Sequence, residues 1–104
     1  MDIERLEKKG IKAYKALIDC VNAALEEESS EYAVICALPL IKLAVAEGAN
    51  YFGSEDPSHP ESFYYNHRTA INVAKEAVKF AEKEGVSSWL EDDLEEIKKI
   101  IKEI

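Results

Sequence analysis

The sequence contains no glutamine, one threonine, one methionine, four glycines and three prolines in 104 residues. So few turn-forming residues exclude an all-β sandwich or barrel, which needs many turns. Two cysteines are too few for the disulfide framework of a small secreted domain, or for a zinc site by themselves. The abundance of Lys, Glu and Ile without Gln is typical of proteins from heat-adapted organisms.

Positive charge is scarce. The 13 Lys and Arg residues face 21 Asp and Glu residues, giving a net charge of -8, and the arginines are Arg5 and Arg68. Phosphate binding requires clustered basic side chains, so this balance argues against nucleic acid and against an anionic membrane surface as partners. A basic protein partner remains compatible with the charge.

The sequence also lacks a long hydrophobic run. The longest, Ala33 to Val45, has 13 residues and is interrupted by Pro39 and Lys42, whereas a membrane-spanning helix needs about 20. Residues 1–9 are highly charged and contain no apolar segment typical of a signal peptide. These features predict a cytoplasmic protein.

Residues that favour helices dominate what is present, and the length fits one domain over residues 1–104. Apolar spacings of three and four predict four helices separated by polar breaks. Short connections after the first and third helices make their neighbours antiparallel. We therefore predict an all-α, antiparallel up-and-down four-helix bundle, with helices at about 2–28, 31–52, 61–84 and 89–103 and a loop at 53–60.

The second predicted helix is apolar on nearly all sides. From Tyr32 to Ala46 its one charged residue is Lys42. A helix of this kind is buried on several sides, and three other helices of a short chain cannot easily surround it. The sequence therefore predicts a homodimer that uses part of this helix.

Residues typical of helix ends fit the predicted boundaries. Ser29 or Ser30 can cap the second helix, and Gly85 suits the position just after the third. Ser88 followed by Glu91 has the spacing of a capping box at the start of the fourth helix.

Aromatic and ionisable residues concentrate between residues 47 and 68, across the predicted loop and the start of the third helix. A ligand pocket in this chain is best placed there. Alternatively, these residues have only structural roles. A half-buried histidine and two tyrosines then close the end of the bundle, and an arginine pairs with a surface acid. The candidate ligand-binding residues are Tyr51, His59, Tyr64, His67 and Arg68.

No complete catalytic or metal-binding motif is present. The two histidines, His59 and His67, are separated across a loop-to-helix boundary, and neither HExxH nor a Glu-x-x-His pair occurs. Phosphate-binding loops and nucleophile elbows are absent as well. We expect no catalytic residue, no metal and no cofactor, and the protein is more readily a binding module than an enzyme.

The two cysteines lie at similar distances from the turn near residues 28–30, so Cys20 and Cys36 are expected to face each other in the core. Both occur in apolar helical stretches, which predicts two free, buried and unreactive thiols. A disulfide is the alternative, and a heat-adapted cytoplasm favours it more than an ordinary one does.

A run of acidic residues opens the fourth helix. Such runs are usually solvated and suit the positive end of the helix dipole. The alternative is a docking surface for a basic partner, formed by Glu91, Asp92, Asp93, Glu95 and Glu96.

A small all-helical chain with an apolar second helix resembles the HEPN domains. These are helical bundles, often dimeric, of which some are ribonucleases and others are accessory subunits of nucleotidyltransferases. Catalytic members carry an Arg followed four to six residues later by His, but here Asn66-His67-Arg68 has no such His, nor does Arg5. The resemblance therefore implies an accessory domain at most, and shared shape alone carries no function.

Two hypotheses about function follow. The first is a non-enzymatic protein–protein interaction or assembly module that acts as a homo-oligomer through the second helix. The alternative is a small-molecule-binding bundle, or a HEPN-like accessory domain, with a pocket near residues 53–60 and the start of the third helix.

Overall fold

Helices account for most of the described chain. The computed structural model describes the backbone of residues 3–47 and 60–104, and the side chains of residues 12–46 and 60–104 except Ser62. The described helices are α1 (Ile3–Glu26), α2 (Ser30–Glu47), a 3-10 helix (Pro60–Phe63), α3 (His67–Glu84) and α4 (Ser88–Glu103). The predicted four-helix bundle is confirmed. The predicted end of the second helix and most of the loop at 53–60 lie outside the described residues.

A Schellman motif closes α1. The Ser29 amide donates to the Ala24 carbonyl at 2.9 Å, and the Glu28 amide donates to the Leu25 carbonyl at 3.1 Å. The motif requires a left-handed residue, and Glu28 occupies that position with φ of 56°. The Ser29 hydroxyl then accepts from the Tyr32 amide at 3.2 Å, so Ser29 caps α2 and the predicted turn is confirmed.

Replacing Glu28→Gly is expected to raise the free energy of unfolding by about 1 kcal/mol, because a residue with a Cβ is strained in the left-handed region. Urea denaturation of the variant and the parent protein measures this difference. Glu27→Gly is the matched control, since the backbone of Glu27 does not have a positive φ and glycine there only adds unfolded-state entropy. Equal or lower stability of Glu28→Gly would contradict the expectation.

Helix α2 lies at the centre of the packing. It contacts α1, α3 and α4, whereas among the described residues α1 and α4 share at most a marginal contact. Its inward positions are almost fully buried. Helix α3 also contacts α1, α2 and α4, so α2 and α3 together separate α1 from α4. The α2 residues of the core are Ala33, Val34, Cys36, Ala37, Leu40, Ile41 and Ala44.

Helix α3 buries a narrow face of small residues. Ala70, Ala74, Ala77 and Ala81 are at most 1% exposed. Because alanine side chains are short, α3 can approach α2 closely.

The third helix begins later than predicted. Pro60–Phe63 forms a 3-10 helix, and α3 starts only at His67 rather than near residue 61. Asn66 interrupts the helix with an extended backbone, and its buried side chain accepts a hydrogen bond from the Thr69 amide at 2.9 Å. The N-cap of α3 is therefore Asn66, because its side-chain Oδ1 atom accepts a hydrogen bond from a backbone amide in the first turn of the helix.

The junction between α3 and α4 is fastened to the start of α2. Gly85 has the positive φ (81°) expected after a helix, and its carbonyl accepts from the Ser30 hydroxyl at 2.6 Å. The predicted capping box is wrong. The N-cap of α4 is Ser87, whose hydroxyl donates to the Glu31 carboxylate rather than capping its own helix.

Within the described chain, no helix combines the length and the apolar character needed to cross a membrane.

Candidate functional site

Two tyrosines ahead of α3 contact polar residues of α1. The Tyr65 hydroxyl donates to the Asp19 carboxylate at 3.0 Å and accepts from the Lys15 ammonium at 3.3 Å. The Tyr64 hydroxyl accepts from the Asn22 side-chain amide at 2.9 Å. The two rings pack edge to face, with centroids 4.9 Å apart. This cluster attaches the segment between the 3-10 helix and α3 to the exposed side of α1.

Lys15 is the cationic member of this cluster. Its ammonium lies 4.7 Å from the centre of the Tyr65 ring and 3.2 Å from an Asp19 carboxylate oxygen. The hydrogen bonds to Tyr65 and Asp19 raise the pKa of Lys15 above its ordinary value of 10.5. Since the folded pKa is raised, the stabilisation is present below pH 10.5 and is lost as the pH rises through the folded pKa.

Removing the Tyr65 hydroxyl is expected to lower the pKa of Lys15. Tyr65→Phe deletes the largest cause of the shift, while Asp19 keeps part of it. An NMR pH titration of the lysine side-chain carbons measures the change. Tyr64→Phe is the control, because its hydroxyl bonds to Asn22 and not to Lys15. An unchanged Lys15 pKa in Tyr65→Phe would contradict this account.

The proposed ligand-binding residues are placed only in part. Tyr51 and His59 lie outside the described residues. Tyr64 is 47% exposed, and Arg68 is exposed in the first turn of α3. The structure therefore brings Tyr64 together with α1, and a pocket formed by the five candidates stays a prediction.

His67 is the first residue of α3. The prediction of a helix at about 61–84 had placed His67 and Phe63 in the same helix. His67 is half-buried. Its Nδ1 atom is buried and has no hydrogen-bond partner within the described part of the chain. Phe63 is 50% exposed, so the apolar face of α3 starts after the break at Asn66.

The acidic candidates for docking lie along α4. Glu91, Asp92, Glu95 and Glu96 are exposed and Asp93 is half-buried. Two of them form ion pairs, Glu95 with Lys98 at 3.3 Å and Glu96 with Lys42 at 3.4 Å. Such solvent-exposed pairs contribute little to stability. Their role in binding a basic partner stays a prediction.

The two cysteines form a disulfide, so the expectation of free thiols is wrong. Cys20 and Cys36 lie 6.0 Å apart between Cα atoms, within the range that a disulfide spans. Cys36 is 7% exposed, but Cys20 is exposed and not buried as predicted. The prediction that the two residues face each other is confirmed. The bond links α1 covalently to α2.

The second helix presents apolar side chains to solvent. Tyr32 is 65% exposed, Val45 54% and Ile35 38%. One charged side chain, Lys42, lies among them, and Glu96 of α4 neutralises it. We call this surface the α2 outer face, and it consists of Tyr32, Ile35, Pro39, Lys42, Val45 and Ala46.

Shallow grooves border the α2 outer face on both sides. Towards α1, the groove is lined by Cys20, Ala23 and Glu27 together with Tyr32. Towards α4, Ile100 and Ile104 lie beside Val45 and Ala46. Ile104 is 55% exposed. The apolar surface therefore extends beyond α2 onto both neighbouring helices.

No group of three or more potential metal ligands occurs within the described ranges. Comparisons of the chain with protein-family models, curated proteins and solved structures gave no match. The resemblance to HEPN domains therefore stays a prediction.

Proposed function

We propose that the chain is a non-enzymatic assembly module that forms a homo-oligomer through the α2 outer face. One observation carries the proposal, the exposure on α2 of an apolar strip that Lys42 interrupts. From Tyr32 to Ala46 the strip is about 21 Å long at 1.5 Å per residue. Large exposed apolar patches on small proteins mark interaction sites.

The contrast with the outer surfaces of the other helices supports this interpretation. The exposed positions of α1 include Lys12, Lys15 and Asp19, and those of α4 include several acids. Those charged positions are suited to water, although Trp89 of α4 is as exposed as Tyr32. The outer face of α2 has one charge in six residues, so covering it removes apolar area from water at little electrostatic cost.

A second copy is the occupant that fits best. Lys42 is already paired with Glu96 of its own chain, so the face carries little net charge for an oppositely charged partner to recognise. A copy of the same apolar face is complementary in polarity, and closed two-fold dimers are the commonest soluble oligomers. The acids of α4 form a separate surface, which a dimer through α2 leaves free for a basic protein.

The polar cluster at Tyr64 and Tyr65 supports a structural role rather than catalysis. Both hydroxyls are engaged with side chains of α1. They attach the chain ahead of α3 to the bundle, and the proposal assigns them no chemistry.

We place the module in the cytoplasm. The composition typical of heat-adapted organisms is consistent with this location. The Cys20–Cys36 disulfide is compatible with it, because intracellular proteins of hyperthermophiles often contain disulfides.

Placing a charge on the face is expected to weaken self-association at least tenfold. Tyr32→Glu replaces the most exposed aromatic residue of α2 with a carboxylate, which would be desolvated in the dimer. Sedimentation equilibrium over a range of protein concentrations measures the dissociation constant. Phe63→Glu is the matched control, because Phe63 is also half-exposed and lies outside the face.

Three results would contradict the proposal. A parent protein that stays monomeric up to high micromolar concentration removes the homo-oligomer. A Tyr32→Glu variant that associates like the parent moves the interface away from α2. A Phe63→Glu variant that weakens association as strongly shows that the effect is general to added charge.

A further inference from the structure

We infer that the Cys20–Cys36 disulfide is a site of thiol–disulfide exchange, at which a small thiol without negative charge forms a mixed disulfide with Cys20. The inference does not depend on self-association. Three observations carry it, namely the unequal exposure of the two cysteines, the groove beside them and the charge of that groove.

The two cysteines differ in their exposure to solvent. Cys20 is exposed on α1, whereas Cys36 is 7% exposed and belongs to the buried core. Access decides which sulfur of a disulfide an incoming thiolate attacks, and exposed disulfides are the ones that exchange readily. The attack is therefore directed to Cys20, and Cys36 provides the leaving sulfur.

The groove towards α1 gives the incoming thiol a place to lie. Its α1 residues follow Cys20 at spacings of three, four and seven, so they share one face of the helix. Two of them are alanines, whose short side chains leave space beside the disulfide. A thiol with a short carbon chain therefore fits against this surface. The complete lining consists of Cys20, Ala23, Ala24, Glu27, Ser29, Tyr32 and Cys36.

The charge of the groove is negative. Glu27 is part of the lining, and among the described residues no Lys or Arg is. Asp19, which precedes Cys20 in the chain, is paired with Lys15 at 3.2 Å. The whole chain has a net charge of -8. A negatively charged thiol is therefore repelled on approach, and a neutral or cationic thiol reacts faster.

The exchange balances in atoms and electrons. The sulfur of the incoming thiolate bonds to the Cys20 Sγ atom, and the bond between the two cysteine sulfurs breaks. Its electron pair leaves on the Cys36 Sγ atom, which then takes a proton from water. A second molecule of the small thiol can release the first from Cys20 as a small-molecule disulfide. Either step leaves α1 and α2 without their covalent link.

Mass spectrometry of the unmodified protein tests which sulfur is attacked. Protein shown by thiol counting to carry the disulfide is treated briefly with cysteamine under native conditions and quenched with acid. Free thiols are then capped with excess N-ethylmaleimide. We expect cysteamine on Cys20 and maleimide on Cys36. The reverse labelling, or exchange that takes place only when urea unfolds the chain, overturns the inference.

Two single-cysteine variants give an independent measurement of access. The free thiol of Cys20 in Cys36→Ala should react with an uncharged small disulfide about tenfold faster than the free thiol of Cys36 in Cys20→Ala. Circular dichroism verifies that both variants are folded under the conditions used. Equal rates in the two folded variants would remove the reason for attack at Cys20 and overturn the inference.

The selection by charge has its own test. Disulfide loss is followed with cysteamine, 2-mercaptoethanol and 3-mercaptopropionate at low salt, and each rate is divided by that thiol's rate with a small uncharged disulfide. The normalised rates should fall in that order, by about two- to fivefold per unit of thiol charge. Glu27→Gln should narrow the differences. Glu103→Gln is the matched control, because Glu103 lies in the groove on the other side of α2.

The outcomes separate the exchange site from its selectivity. Equal normalised rates for the three thiols, or equal effects of the two variants, overturn the selection by Glu27. Exchange at Cys20 is judged separately, by the labelling and by the single-cysteine variants.

Discussion

Reduction of the Cys20–Cys36 disulfide is expected to lower the free energy of unfolding by about 3 kcal/mol. The two residues are separated by 16 positions, and closing a loop of this size restricts the unfolded chain by about that amount. For a domain of this length, the corresponding loss in Tm is roughly 12–24 °C. This is a large share of the stability of a small domain, which is typically about 5–15 kcal/mol.

Thermal and urea denaturation with and without a reductant measure the effect. The double variant Cys20→Ala with Cys36→Ala is the control, because its stability should be low and insensitive to reductant. Identical midpoints for the oxidised and reduced parent protein would contradict the expectation. Thiol counting under denaturing conditions shows which form is present in each sample.

Truncation of Leu40 is expected to lower the free energy of unfolding by about 3–4 kcal/mol. Leu40 is fully buried at the centre of α2, and Leu→Ala changes in packed cores cost about 2–5 kcal/mol because they leave a cavity. Helix α2 contacts three other helices, so neighbouring side chains cannot easily collapse into the space. Urea denaturation at a concentration where the protein is monomeric measures the difference.

Val45→Ala is the matched control on the same helix. Val45 is 54% exposed, so its truncation should change the stability of the monomer by less than about 0.5 kcal/mol. The same variant should weaken self-association, because Val45 belongs to the α2 outer face. A Val45→Ala variant that destabilises the monomer as much as Leu40→Ala would contradict the assignment of inner and outer faces.

Hydrophobic spacing predicted the helices because each apolar side must be buried somewhere. The same spacing was less accurate in identifying the most buried residues. Apolar residues of α1 at a spacing of four include Ala13 and Leu17, which are half-buried, whereas Tyr14 and Ile18 are fully buried. An aromatic residue with a hydroxyl is a poor sequence signal for the core, and the orientation of α1 depends on its contacts with α2 and α3.

The start of α3 shows why helix boundaries are difficult to predict. The spacing of Phe63, His67 and Ile71 fits one helix, but Asn66 accepts a hydrogen bond from the Thr69 amide and starts a new one. Asparagine is a recognised N-cap, so that signal was present and the apolar spacing outweighed it. The contacts of Tyr65 with Lys15 and Asp19 join residues about 50 positions apart, and no local pattern predicts them.

The disulfide and the α2 outer face show which properties of α2 its sequence predicts and which depend on the compartment or on the packing of the other helices. Symmetry about the turn predicted the proximity of Cys20 and Cys36, but the redox state of a cysteine pair depends on the compartment and is not encoded in spacing. The hydrophobicity of α2 on nearly all sides predicted that the helix would be buried on more than one side. Which residues remain outside, such as Tyr32 and Val45, depends on where α1 and α4 lie.

The central position of α2 has a consequence for how the molecule opens. Because α2 contacts α1, α3 and α4, no pair of helices separates from the rest without exposing part of it. Separation of either hairpin therefore exposes buried surface of α2, which favours unfolding of the domain as one cooperative unit rather than as two hairpins. The amide hydrogens at the centre of α2 would exchange with solvent only when the whole chain unfolds, which makes this helix the natural reporter of global stability.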